Sequence, residues 1–115
     1  MTEEHCVFCG VASGAMDAVR VYEDDRVVAF RDIAPRAPVH ILIIPRDHIP
    51  SVDSVARGHG DTLGHMLIVA RDVARGEELT EGYRIVINTG RAAGQTVAHL
   101  HMHLLGGREM DWPPG

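Results

Sequence analysis

The segment His99-Leu100-His101-Met102-His103-Leu104-Leu105 constrains the fold more than any other stretch of the chain. Polar and apolar residues alternate there with a period of two, the period of a β-strand with one face buried. Leu100, Met102 and Leu104 are assigned to the core, and His99, His101 and His103, with Leu105, to the opposite face. Along such a strand successive histidines stand about 6.6–6.8 Å apart and the outer pair about 13 Å. Two neighbours could converge on one metal ion, whereas all three would strain to reach it. The row suits an extended anionic group better, while a metal site and a solvated histidine-rich strand share the pattern.

The rest of the chain supplies partners for that strand, which is read as Val97 to Leu105. Val19–Glu23 and Val27–Arg31 are short apolar segments joined by Asp24-Asp25-Arg26, the pattern of a hairpin with an acidic turn. Val39–Ile44 is rich in β-branched residues and bounded by Pro38 and Pro45, as a buried strand is. From Asp61 to about Glu78, Leu63, Met66, Leu67, Ala70, Val73 and Ala74 form one stripe of an amphipathic helix. Tyr83–Asn88 reads as a further strand, closed by Thr89-Gly90. With no alternating βαβ rhythm, the order predicts an α+β fold, a five-stranded antiparallel sheet with one long helix packed on it.

The 115 residues are 45% hydrophobic and 23% charged, which fits one soluble globular domain over 1–115. A net charge of -5 excludes a broad basic surface for nucleic acid. The opening MTEEHC lacks a signal-peptide pattern, and Ile41–Ile44 is too short to span a bilayer, so a cytoplasmic protein without membrane contact is expected.

Chemistry concentrates in the histidines, eight in all. An imidazole titrates near neutrality and serves as base, acid or nucleophile. Attack on phosphorus would give a phosphoryl- or nucleotidyl-histidine, dividing one hard displacement into two easier ones. Gly90-Arg91-Ala92-Ala93-Gly94-Gln95-Thr96 precedes the strand, and its glycines allow close approach of backbone N–H groups to phosphate, although the Walker A Gly-Lys-Ser/Thr is missing. Of the five others, His5, His59 and His65 are read as tail, loop and solvent-facing positions, and His40 and His48 lie in and just after the strand Val39–Ile44. Asp24-Asp25 and Glu77-Glu78 read as a turn and a solvated helix end.

The His99–Leu105 segment resembles the signature of the histidine triad (HIT) family, His-φ-His-φ-His-φ-φ. Further blocks resemble the family in order: Val21–Asp24, Phe30–Pro35, Ala37–His40, Ile44–Ile49, Gly94–Val97 and the tail Gly106–Gly115. That tail is similar to the nucleoside phosphoramidase (Hint-type) branch. The resemblance implies a homodimer whose sheet continues between subunits, with residues 106–115 reaching toward the partner's site. It implies hydrolysis of purine nucleoside phosphoramidates without a catalytic cofactor. Alternatives are a dinucleoside polyphosphate hydrolase of the same family, against which the tail argues, and a low-turnover nucleotide-binding or interaction module.

By motif position His101 would be the nucleophile, His103 would bind phosphate oxygens, His40 would support the row, and Thr96 would place a hydroxyl near the leaving group. Asp32 would hold the ribose hydroxyls; Phe8, Phe30 and Ile33 would line the base pocket; Asn88, Gly94 and Gln95 would meet the phosphate; and Trp112 would reach the neighbouring site. Ala98 and Asp111 depart from the pattern and bear on leaving-group preference.

Cys6-Val7-Phe8-Cys9 is a C-x-x-C, which reads as metal ligands or a redox pair. No thioredoxin-like βαβ unit accompanies it. A tetrahedral zinc site needs two more ligands, and His48 and His99 are the best placed, as in bacterial-type members of the family. Zinc on Cys6, Cys9, His48 and His99 would pin the N-terminal segment to the sheet.

Overall fold

The hairpin forms where the acidic turn predicts it. In the computed structural model, which describes residues 5–115, β1 (Arg20–Glu23) and β2 (Val27–Arg31) pair antiparallel. The Asp24 carboxylate closes the turn, its Oδ1 accepting the N–H groups of Arg26 and Val27, both at 2.8 Å. β2 pairs with β3 (Val39–Pro45), β3 with β5 (Met102–Gly106), and β5 with β4 (Tyr83–Val86). All neighbours are antiparallel, and the order across the five-stranded sheet is β1-β2-β3-β5-β4. Residues 1–4 of the acidic opening lie outside the described residues.

Period-two alternation divides the sheet into two faces. Val27, Ala29, Ile41, Ile43, Met102 and Leu104 face the long helix α2 (Gly60–Gly76), and Leu100 joins the same core. Val28, Phe30, Leu42 and Ile44 face the other way, under a short helix α1 (Val7–Ser13). The sequence reading missed α1, for seven residues are too few to show a helical period. It is held by its ends. Cys6 caps it with Sγ accepting the Cys9 N–H at 3.3 Å, and Gly14 closes it in the left-handed conformation at φ 85°. Arg20 and Arg46 donate to the terminal carbonyls of Val11 and Ala12, placing cations at the negative end of the helix.

The stripe on α2 is rotated from the predicted one. Met66, Val69, Ala70, Val73 and Ala74 are buried, whereas Leu67 is 50% exposed. A face centred on Met66, Ala70 and Val73 leaves Leu67 about 100° round from Met66, on the flank. Two strands are also shorter than predicted. β4 ends at Val86, and β5 begins at Met102 instead of Val97, because the chain bends through 97–99 and Leu100 bonds outside the sheet, its N–H to the Ile49 carbonyl at 2.7 Å.

Two polar readings are corrected. His65 is not simply solvent-facing: its Nε2 meets Asp24 Oδ2 at 2.5 Å, tying α2 to the hairpin turn, and the Tyr22 hydroxyl donates to the same oxygen. Glu77 is paired with Arg31 at 2.8 Å, closing the end of α2 against β2. Among the described residues no helix is long and apolar enough to cross a membrane.

Candidate active site and metal centre

The imidazoles of His40, His101 and His103 gather on the face of the sheet that α1 covers only in part. β3 and β5 place Leu42 opposite His103 and His40 opposite Leu105, so His40 and His103 are diagonal neighbours. Their ring centroids lie 5.2 Å apart, and those of His101 and His103 5.0 Å apart. Phe8 of α1 closes the row, edge-on to His101 at 5.1 Å and to Phe30 at 5.5 Å.

Hydrogen bonds assign the protons. His40 Nδ1 accepts the Arg36 N–H at 3.0 Å, so in the neutral ring the proton sits on Nε2, 2.9 Å from His103 Nδ1. His103 is then the acceptor at Nδ1, and its own proton sits on Nε2. His101 Nδ1 lies 2.7 Å from the His99 carbonyl, an acceptor only. His101 therefore carries its proton on Nδ1, and Nε2 bears the lone pair. Burial holds the His40 and His103 imidazoles below the ordinary value of 6.5. Asp32, with Oδ2 3.4 Å from His40 Nε2, acts against that on both rings. The other Asp32 oxygen accepts the Ala34 N–H at 2.8 Å. Asp32, His40 and His103 lie as close together as metal donors would, but with both His40 nitrogens committed the set reads as a hydrogen-bonded relay.

A second cluster lies beside the first. Sγ of Cys6 and Cys9 and Nδ1 of His48 and His99 all lie within 4.8 Å of one another. The sulfur–nitrogen separations are 3.3 Å (Cys6–His99), 3.2 Å (Cys9–His48) and 3.5 Å (Cys9–His99). Donors on a tetrahedral zinc with the usual Zn–S and Zn–N bonds stand about 3.6 Å apart. His99 Nε2 lies 2.8 Å from the Pro45 carbonyl, which fixes its proton there and turns the Nδ1 lone pair toward the sulfurs. The donor set and its outer shell thus fit one zinc ion. Burial lowers the His99 imidazole, which favours the neutral form a ligand needs.

The structure brings most of the predicted site residues together and leaves some apart. His101, His103, His40, Asp32, Phe8 and Phe30 form one constellation, and Cys6, Cys9, His48 and His99 the adjoining cluster. The first histidine of the row thus faces the cysteines and not the common row. Ile33 is 100% exposed and Trp112 85% exposed, so neither lines an enclosed pocket in the single chain. Asn88 is half-buried and Thr96 exposed. Gly94 takes φ 92°, a left-handed value that suits glycine. Gln95 is occupied within the fold: Oε1 accepts the Gly90 N–H, and Nε2 donates to the carbonyls of Pro50 and Val97. The N–H groups of Ala93, Gly94 and Gln95 are also bonded inside the loop, so a phosphate there meets paired donors. Three main-chain groups that set the tautomers, the Arg36 N–H and the Pro45 and His99 carbonyls, left no trace in the sequence, because every residue carries them.

Residues 13–110 match the HIT domain family. A 14 kDa zinc-binding protein of Brassica juncea is 50% identical over 111 residues, 95% of this chain and 98% of the relative. A protein of Arabidopsis thaliana named adenylylsulfatase HINT1 is 49% identical over 95% of this chain and 76% of its own length. The crystal structure of a HIT family hydrolase from Legionella pneumophila Philadelphia 1 superposes with a TM-score of 0.95 at 47% identity, covering 96% of this chain and all of that one.

Proposed function

The chain belongs to the HIT domain family, and from that membership we propose that it hydrolyses the P–N bond of purine nucleoside phosphoramidates through a nucleotidyl-histidine on His101. The observation that carries the reading is the proton assignment. With Nδ1–H donated to the His99 carbonyl, the His101 Nε2 lone pair is the nucleophile. It forms a bond to the α-phosphorus as the P–N bond breaks, and the departing nitrogen takes the proton of the Thr96 hydroxyl. Water then adds to the same phosphorus and returns a proton to the Thr96 oxygen, the His101–phosphorus bond breaks, and the nucleoside monophosphate leaves. His103, accepting from His40 at Nδ1, has its Nε2–H to donate to a phosphate oxygen. Asp32 holds the ribose hydroxyls, Phe8, Phe30 and Ile33 receive the base, and Asn88, Gly94 and Gln95 border the phosphate.

A zinc on Cys6, Cys9, His48 and His99 has the role of a cross-link, since four protein donors leave no open position; the name of the Brassica relative supports that ion. A homodimer is part of the same reading. β4 is an edge strand, and Leu67, Ile68, Tyr83 and Ile87 leave an apolar surface on α2 and at the β4 edge. The Arg84 guanidinium donates to the Asp111 carbonyl at 2.8 Å and Trp112 is exposed, which supports a tail that runs toward a neighbouring subunit. The setting is cytoplasmic.

A second reading keeps the covalent step and changes the leaving group to sulfate, which the name of the Arabidopsis relative favours. One experiment tests both. The protein is mixed with an adenosine phosphoramidate, quenched within milliseconds and mapped by mass spectrometry, with turnover compared on adenylyl sulfate and a diadenosine polyphosphate. Acid-labile AMP is expected on His101, and folded His101→Ala should neither form it nor turn over. Ordinary turnover by His101→Ala would overturn the mechanism, and the relative rates choose the leaving group.

A further inference from the structure

We propose that Asp32 is a positioning residue for the His40–His103 pair, the group that lets the pair hold an added proton, in addition to any contact with ribose. The inference rests on the functional reading above for its kinetic part only; its structural part stands alone.

The argument starts from the Arg36 N–H, which occupies His40 Nδ1 and keeps the His40 proton on Nε2. In the neutral pair that proton points at His103 Nδ1 across 2.9 Å, and the two facing nitrogens are matched as donor and acceptor. A proton taken from water by the pair goes to His103 Nδ1, its remaining basic nitrogen facing His40. Two N–H groups would then oppose each other. Neither then finds an acceptor in the other ring, and Asp32 Oδ2, 3.4 Å from His40 Nε2, is the charged acceptor in reach. Asp32 is itself fixed, because Oδ1 accepts the Ala34 N–H at 2.8 Å and so aims Oδ2 at the rings.

The other charged and titratable groups around the pair do not offer this. From the loop before β3, Arg36 bears on His40 as a like charge. From the β5 side, His101 bears on His103 in the same sense. Arg108 reaches into this region only to donate to the Arg36 carbonyl at 3.0 Å. Phe8 covers His101 with a ring that accepts no proton. Asp32 is thus the one carboxylate acting on both imidazoles among the described residues.

The test uses the full-length protein and Asp32→Asn, whose amide oxygen can still accept the Ala34 N–H, with circular dichroism to verify the fold. First, the His40 and His103 imidazoles are titrated by ¹⁵N NMR without substrate. The expected result is a downward displacement of their joint midpoint by about one pH unit, as for loss of an opposite charge at this range. Unchanged midpoints would overturn the inference. Second, kcat and KM are compared on an adenosine phosphoramidate and its 2′,3′-dideoxy counterpart. If Asp32 serves the imidazole pair, Asp32→Asn lowers kcat about tenfold on both substrates, and the acid limb of the pH profile moves with the NMR midpoint. A loss confined to KM, or present only with the ribose hydroxyls, leaves Asp32 as a ribose contact and refutes the proposal. A wild-type protein that turns over neither substrate strikes the functional reading, and the NMR titration still decides this one.

Discussion

Phe8→Ala removes a side chain that touches both clusters. The ring is 8% exposed and packs edge-on to Phe30 at 5.5 Å, to His101 at 5.1 Å and to His99 at 6.1 Å. Deleting a buried Phe costs about 3–5 kcal/mol once the cavity is counted. The lower figure applies, for α1 is seven residues long and its edge can relax into the gap. With an unfolding entropy of about 2.1 cal/mol/K per residue over the chain, a loss of about 3 kcal/mol lowers Tm by about 12 °C. The assay is urea denaturation of metal-loaded protein, with the slope m monitored. A helix this short does not stand alone, so the loss has a ceiling at the free energy that docks α1 to the sheet. Chelated Phe8→Ala should accordingly lose less, relative to chelated wild type, than the loaded pair do. Backbone amides of Val7–Ser13 should exchange faster in the variant while those of β3 keep their protection. A loss under about 1 kcal/mol in the loaded protein, with m unchanged, would refute the account of α1 as a packed element.

Two further expectations follow from the remaining clusters. Protein purified without a polyhistidine tag should hold about one zinc per chain by elemental analysis, and Cys9→Ser should lower both the content and Tm; less than a tenth of an equivalent in the wild type removes the zinc reading. The Asp24 carboxyl is held well below its ordinary value of 3.8 by hydrogen bonds from the Tyr22 hydroxyl, His65 and two backbone N–H groups, against its own burial. A carboxylate so depressed stabilises the fold above pH 3.8 and loses that contribution as pH falls toward the folded-state value. Asp24→Ala should therefore cost about 2 kcal/mol at pH 7, the range for hydrogen bonds to a charged group, and markedly less at pH 3; an equal cost at both would contradict the assignment.

The parts legible in the sequence are those that repeat. Alternation gave the faces of β5, the β-branched run between two prolines gave β3, and helical spacing gave α2, because burial imposes its pattern over many residues. The clustering of Cys6, Cys9, His48 and His99 was legible through residue type and motif, not periodicity. What escaped is held by single contacts between distant positions. α1 owes its ends to Cys6, Gly14, Arg20 and Arg46, with no internal period. The bend that starts β5 late turns on the Leu100 N–H meeting Ile49. His65 with Asp24 and Glu77 with Arg31 join residues 41 and 46 positions apart, and nothing in either neighbourhood announces the other. Leu67 fell outside the buried stripe since a helix face is defined by what it packs against.

The two-faced sheet also limits how the chain can change in length. β3 and β5 each alternate between the layer under α2 and the imidazole layer. Deleting Met102 alone would swing His103 among Ile41, Ile43 and Ala70 and turn Leu104 into the imidazole layer. An insertion would do the same in reverse, for a slip of one residue exchanges the faces. Substitution can tune either layer separately, but gain or loss of a residue strikes packing and chemistry in a single event. Viable length variants of this chain should place their indels in connections such as the mostly exposed 52–58, and none between His101 and Gly106.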